Sequence, residues 1–83
     1  MNAPWNSIED QLKQAIEAEL PDATAEVTSN GNHFEIRVTS SVFEGKRTLA
    51  KQRLVYSAIK DFMAGANAPV HAVDRLETLV PNS

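Results

Sequence analysis

The fold is decided by residues 24–39, which read TAEVTSNGNHFEIRVT. Apolar and polar residues alternate on both sides of the Asn30-Gly31 dipeptide, as expected for two half-buried strands. Asn-Gly readily adopts the positive φ angles of a type I′ turn. The segment therefore predicts a β-hairpin with strands over Thr24–Ser29 and His33–Thr39. By the same alternation, His33 points away from the apolar face of the hairpin.

A helical pattern precedes the hairpin. Apolar residues recur there at steps of three and four, which is typical of one buried helix face. They are Trp5, Ile8, Leu12, Ile16 and Leu20. Asn6 or Ser7 is expected to cap this helix, and Pro21 to end it. Glu9 and Lys13 have the spacing of a favourable i, i+4 ion pair.

A second helical pattern and a last strand follow the hairpin. The helix is predicted from about residue 48 to 64, in one piece or split in two. Its predicted buried stripe consists of Leu49, Ala50, Leu54, Val55, Ala58, Ile59 and Phe62. Residues 70–79 are predicted to form the last strand. Because Val73 and Leu76 differ in parity, we expect a β-bulge or a change of face near Asp74.

The order of these elements predicts an α+β domain with two layers. A right-handed helical crossover makes the last strand parallel to the second, which gives a three-stranded mixed sheet. The helices would cover one face of this sheet. The other face would be polar, with the side chains of Glu26, Thr28, His33, Glu35 and Arg37.

Composition narrows the function classes. The 83 residues are enough for one small domain. A net charge of −3 is unfavourable for a generic nucleic-acid binder. The absence of cysteine excludes a disulfide framework and fits a reducing compartment. We find no apolar run of the ~18 residues needed to span a bilayer and no secretory signal in residues 1–6, so we expect a cytoplasmic protein.

The residue types argue against an enzyme. The chain has no cysteine nucleophile, no Ser-His-Asp spacing, no glycine-rich phosphate loop and no His-x-x-x-His pair. Two histidines, His33 and His71, are the candidate metal ligands, because neutral imidazole binds soft metals. Each has a second interpretation: His33 as an exposed polar residue, and His71 as a structural histidine bonded to the backbone.

A group of basic residues is the other candidate site. This basic cluster consists of Lys46, Arg47, Lys51, Arg53 and Lys60. It is either a solvated helix face or a contact for phosphates or an acidic partner. Nearby, Phe43 and Gly45 are either a core anchor and a turn residue or the rim of a partner groove. Tyr56 is a core residue whose hydroxyl could reach a partner.

A series of short motifs carries a resemblance to a known family. They read HFEI at 33–36, VTSSVFEGK at 38–46, QRLVY at 52–56 and PVHAV at 69–73, followed by Thr78 and Pro81. In this order and spacing they resemble the BolA-like family, and most of all its short IbaG/YrbA-type branch. The resemblance implies one α-β-β-α-α-β domain over residues 1–83, similar in fold to class II KH domains.

The resemblance also implies a function. Members of the family pair with monothiol glutaredoxins and share a bridging 2Fe–2S cluster with the glutaredoxin cysteine and glutathione. His71 matches the family's characteristic Val-His-Ala histidine. The second ligand comes from the loop between the first two strands, where the nearest histidine here is His33. The implied partner surface combines the His33 strand edge, the Phe43 loop and the basic cluster.

An alternative function belongs to another class, a KH-like transcriptional regulator that binds DNA. The KH phosphate clamp needs a Gly-x-x-Gly turn, so that the backbone can approach phosphates. The corresponding residues 44–48 contain only one glycine, Gly45. The protein is expected to be a monomer or a weak homodimer.

Overall fold

The computed structural model describes residues 7–31, 33–65 and 68–81. The elements in chain order are α1 (Ile8–Glu19), β1 (Thr24–Asn30), β2 (His33–Thr39), a single-turn 3₁₀ helix (Ser41–Phe43), α2 (Thr48–Met63) and β3 (Ala72–Leu79). The sheet has the order β1-β2-β3, with β1 antiparallel and β3 parallel to β2. The predicted α+β architecture with a mixed sheet is thus confirmed. No helix in the described ranges is long and apolar enough to cross a membrane.

The start of α1 is fixed by a serine cap and by contacts with β1. Ser7 Oγ accepts a hydrogen bond from the Asp10 N–H at 3.2 Å, whereas Asn6 and Trp5 lie outside the described residues. The predicted pair of Glu9 with Lys13 is wrong. Lys13 Nζ lies 2.6 Å from Glu17 Oε2 instead, because from there it also reaches a carbonyl of β1 at 2.9 Å. Glu9 accepts a hydrogen bond from the hydroxyl of a serine near the end of β1.

The hairpin turn lies one residue later than the Asn-Gly signal predicts. Asn30 pairs with His33, so the two connecting residues are Gly31 and Asn32. Gly31 has a φ of +66°, which a glycine adopts without strain, and Asn32 lies outside the described residues. This register still places Val27 opposite an apolar residue of β2, so the faces of both strands are as predicted.

The irregularity predicted near Asp74 is present. Phe34 pairs with Val73, but the next residue of β2, Glu35, pairs with Arg75. Asp74 is therefore the additional residue of a β-bulge in β3. The bulge allows Val73 and, three residues later, Leu76 to pack against the core from the same strand.

Both helices pack on one face of the sheet and enclose the core. Its buried apolar residues are Leu12, Ile16, Leu20, Ala25, Phe34, Ile36, Val38, Phe43, Val55, Ile59 and Val70. The prediction of a buried stripe on α2 is wrong for two residues, since Leu49 is 58% exposed and Ala50 is also exposed. Leu49 lies about 100° around the helix from the direction of Val55 and Ile59, and Ala50 lies on the opposite side. Helix α2 is unbroken over 16 residues, and the additional helical segment is the 3₁₀ turn.

Candidate functional site

The two histidines lie at the same end of the sheet, on neighbouring strands. His33 is the first residue of β2 and pairs with Ala72, the first residue of β3. His71 directly precedes Ala72. The spacing of parallel strands and the rise per residue place the Cα atoms of His33 and His71 roughly 6 Å apart. Both side chains are exposed, so two histidines stand at neighbouring backbone positions of an accessible sheet end.

His33 is held by a carboxylate from the neighbouring strand. Its Nδ1 atom lies 2.9 Å from Asp74 Oδ1, with the side chains 60% and 52% exposed. Within the described part of the chain, its Nε2 atom has no hydrogen-bond partner. A shallow depression lies beside the pair, lined also by Thr28 and Glu35. His33 can thus use one ring nitrogen for the protein and the other for a ligand.

A backbone hydrogen bond fixes the residue that precedes His71. Val70 is buried, and its N–H donates a hydrogen bond of 3.1 Å to the Phe62 carbonyl near the end of α2. This bond fixes the chain immediately before His71. No hydrogen bond joins the His71 imidazole to another described residue, so its second interpretation as a histidine bonded to the backbone has no support there.

The donor set fits half of a shared metal site. Among the described residues, no group of three or more histidine, cysteine, aspartate or glutamate side chains is arranged to hold a metal ion. Two imidazole nitrogens can complete the coordination of one iron whose other ligands come from elsewhere. If both imidazoles ligate one iron, the remaining ligands of the metal group would come from a second molecule.

Two residues of the basic cluster, Lys46 and Arg47, lie at the opposite end of β2 from the histidines. Lys46 and Arg47 follow the 3₁₀ turn and precede α2, past the last residue of β2. The seven residues of β2 separate this end from His33 by roughly 20 Å. The structure therefore does not bring Lys46 and Arg47 into one surface with the histidines.

The basic cluster is also divided around α2. Lys51 and Arg53 lie about 200° apart around the helix axis, so they face different sides. Lys51 is half-buried and Arg53 is exposed, in agreement with this separation. Lys60 lies in the last turn of α2, away from the other four.

Three further predicted partner residues have mainly structural surroundings. Phe43 is fully buried, which confirms its interpretation as a core anchor, whereas its role at the rim of a partner groove stays a prediction. The ring is part of the buried apolar core. Gly45 has a φ of +76° in the tight turn in which the Lys46 N–H donates to the Phe43 carbonyl at 3.1 Å. Tyr56 is half-buried against the core.

The open face of the sheet carries a row of ion pairs. Arg37 Nε lies 2.8 Å from Glu77 Oε1, and Arg37 Nη1 lies 3.4 Å from Glu26 Oε1. The hydrogen bond from Arg37 and its charge lower the pKa of Glu77, and the same pair raises the pKa of Arg37. These opposite charges compensate one another on the open face.

Comparison with known proteins decides the family. The family described as "BolA-like protein" matches residues 7–82, nearly the whole chain. The chain belongs to the BolA-like family. A BolA homologue from Coxiella burnetii has a solved structure with a TM-score of 0.73 and 34% identity to this BolA-like chain, over 90% of this chain and 91% of the homologue.

Two relatives with similar sequences are a bacterial and a mammalian protein. An uncharacterised protein from the rpoN-murA intergenic region of Acinetobacter guillouiae is 34% identical over 64 residues, which cover 77% of this chain and 75% of the relative. BolA-like protein 1 of Bos taurus is 34% identical over 73 residues, or 81% of this chain and 52% of that protein. This BolA-like chain thus spans about half the length of the mammalian relative.

Sequence reasoning missed two residues of this BolA-like domain. The sequence pattern identifies Asp74 only as the position of a bulge. A bulge that moves a carboxylate toward His33, at the start of the neighbouring strand, is a signal for the contact between the two side chains. Ser40 is fully buried, and its hydroxyl donates a hydrogen bond to the Pro21 carbonyl. Its Oγ also accepts from the Val42 N–H at 3.2 Å. The position of Ser40 at the end of a strand gave no signal for this role.

Proposed function

We propose that this BolA-like protein is a cytoplasmic accessory protein, and not an enzyme, that binds a monothiol glutaredoxin. Together with glutathione the two proteins would share a bridging 2Fe–2S cluster, for iron–sulfur trafficking or for iron or redox sensing. One observation carries the proposal: the β2–β3 register that makes His33 and His71 neighbours at an exposed edge. The family membership and the donor set, which fits half a site, support it.

The chemistry of the two imidazoles suits transfer or sensing. Neutral imidazole in place of thiolate lowers the negative charge around one iron and raises the reduction potential of a cluster. A ligating nitrogen must be free of its proton, so acid weakens the binding. His33 and His71 would supply these nitrogens, and the two-residue hairpin connection makes His33 the first residue of β2 instead of a residue of a long loop. This short connection also supports our assignment to the IbaG/YrbA-type branch.

The experiment is a reconstitution followed by visible circular dichroism. The protein is mixed with a monothiol glutaredoxin, iron, sulfide and glutathione, and its spectrum is compared with that of glutaredoxin alone. We expect a new spectrum with the wild type, its loss in His71→Ala and its loss or change in His33→Ala. Glu19→Gln, which changes an exposed residue at the end of α1, is the control and should keep the wild-type spectrum. A wild-type mixture that shows only the glutaredoxin spectrum would overturn the proposal.

DNA binding is the second candidate function, and the start of α2 favours it. Arg47 occupies the N-cap of α2 without a side-chain cap hydrogen bond, and Lys46 beside it is exposed. Backbone N–H groups and basic side chains at a helix start attract phosphates. A salt titration of duplex binding tests this function, since removal of one phosphate-binding side chain should reduce the log–log slope by about 0.9. Glu substitutions at Lys46 and Arg47 should abolish binding, and unchanged affinity in them would exclude this surface.

A further inference from the structure

The bulge in β3 moves Asp74 out of the position that it would occupy in a regular parallel ladder. In an unbroken parallel ladder, the residue after Val73 would lie beside Glu35 and would set two carboxylates next to each other. The register shift instead places Arg75 beside Glu35. Opposite charges on neighbouring strands are favourable and like charges are not. The displaced Asp74 contacts His33, with Nδ1 and Oδ1 2.9 Å apart.

We propose that Asp74 is a positioning residue that holds His33 through Nδ1 and thereby presents Nε2 to the metal. A carboxylate only accepts hydrogen bonds, whereas a neutral imidazole has one N–H donor and one acceptor nitrogen. Contact with Asp74 therefore places the proton of neutral His33 on Nδ1 and leaves the Nε2 lone pair free. Carboxylate partners of metal-binding histidines fix the ring orientation and the protonated nitrogen in this way.

The two histidines differ in this respect. His33 has a side-chain partner, while the His71 imidazole has no hydrogen-bond partner among the described residues. Asp74 lies on the bulge of the same strand that His71 precedes, so one short segment supplies a ligand and the support for the other ligand. This inference rests on the proposed metal-binding role of His33, although the contact itself can be tested without any metal.

The first test reads the protonated nitrogen of each histidine in the metal-free protein. Long-range ¹H–¹⁵N spectra at pH 8 distinguish the Nδ1–H from the Nε2–H form of the neutral ring. We expect His33 mainly as Nδ1–H in the wild type and mainly as Nε2–H in Asp74→Ala. Asp74→Asn, whose amide oxygen can also accept from Nδ1–H, should keep the wild-type form. Asp61→Ala removes an exposed carboxylate on α2 and should change nothing.

The second test uses the cluster shared with glutaredoxin. Loss of the carboxylate partner of a metal-binding histidine typically costs 10- to 100-fold in affinity, and the exposure of this pair points to about tenfold for Asp74→Ala. His33 as Nε2–H in the wild type, or equal cluster retention in the wild type and Asp74→Ala, would overturn the inference. Failure of the proposed function looks different: the wild type forms no shared cluster, while the nitrogen spectra still report whether Asp74 holds His33.

Discussion

The two faces of strand β2 differ in what they contribute to this domain: one packs in the core and the other is exposed to solvent. Toward the helices the strand presents three apolar residues that are 0–3% exposed, namely Phe34, Ile36 and Val38. Toward solvent it presents three exposed polar residues, namely His33, Glu35 and Arg37. The covered face contributes three side chains to the buried apolar core, and the open face carries the polar groups at which we propose that a metal and a partner bind. Substitutions on the two faces should therefore have separable effects.

The largest effect is expected at Phe43, a core residue of the 3₁₀ turn that follows β2. Phe43→Ala removes a fully buried ring and leaves a cavity, which should lower the free energy of unfolding by about 3–5 kcal/mol. Domains are stable by only about 5–15 kcal/mol, so much of the stability would be lost. Urea denaturation measures the loss, and Phe43→Leu, which keeps more of the volume, should lose less.

Leu49→Ala is the matched control for this prediction. Leu49 is an apolar residue of similar size at the start of α2 but is 58% exposed. We expect a change within about 0.5 kcal/mol, as for surface positions in general. Equal losses in Phe43→Ala and Leu49→Ala would contradict the separation between covered and open positions.

A smaller loss is expected from Ser40→Ala, which tests the one polar residue among the fully buried side chains of the described region. The substitution removes the donor to the Pro21 carbonyl and the acceptor of the Val42 N–H. Buried groups that lose their partner cost about 1–3 kcal/mol. Thermal unfolding should show a lower midpoint in Ser40→Ala. Ser41→Ala, next to it but exposed, should lie closer to the wild type.

The next effect depends on pH and concerns the contact of α1 with β1. Glu17 Oε2 accepts hydrogen bonds from Lys13 Nζ and from the Ala25 N–H at 2.6 and 2.9 Å, and these bonds lower the pKa of Glu17 below 4.5. A lowered pKa adds stability above pH 4.5, and this stability is lost as the pH falls through the folded-state pKa. Urea denaturation should show Glu17→Gln less stable at pH 7, by about 1 kcal/mol.

The same pair of proteins should become equally stable in acid. Once Glu17 is protonated in the wild type, Glu17→Gln no longer differs from it in charge. Glu19→Gln changes an exposed carboxylate of the same helix and is the control, which should match the wild type at both pH values. A difference between wild type and Glu17→Gln that persists unchanged to pH 3 would contradict the role of the ionised carboxylate.

The smallest effect on stability is expected on the open face, from Arg37→Gln. The ion pairs of Arg37 are exposed, and exposed pairs contribute little. Urea denaturation should give the same midpoint as the wild type. The change should instead raise the pKa of Glu77, because the hydrogen bond and the charge that lower it are gone. A titration followed by ¹³C NMR of the Glu77 carboxyl carbon measures this shift.

Much of the fold follows from periodicity. The alternation in residues 24–39 predicts both faces of the hairpin, and the parity change between Val73 and Leu76 predicts the bulge. What the pattern misses depends on tertiary contacts. Lys13 pairs with Glu17 because a carbonyl of β1 lies within reach, and helix spacing alone cannot distinguish this partner from Glu9.

The candidate site is only partly predictable for the same reason. Motif matching identifies His33 and His71, but their proximity follows from the β2–β3 register, and the contact of His33 with Asp74 follows from the bulge. The basic cluster was predicted to share a surface with the histidines because the sequence does not show that a whole strand separates Lys46 and Arg47 from them. Its residues are close in sequence but lie around a helix and at its start.

The parallel pairing of β2 with β3 has a thermodynamic consequence. His33 and His71 are far apart along the chain and become neighbours only after α2 has returned the chain to the start of β2. A ligand held by both residues therefore binds the native state and not the unfolded chain. By mass action such a ligand, present at 100 times its dissociation constant, would stabilise the domain by about 2.7 kcal/mol. The melting temperature of this domain would then report the occupancy of the site, and loss of the ligand would bring the domain closer to unfolding and proteolysis.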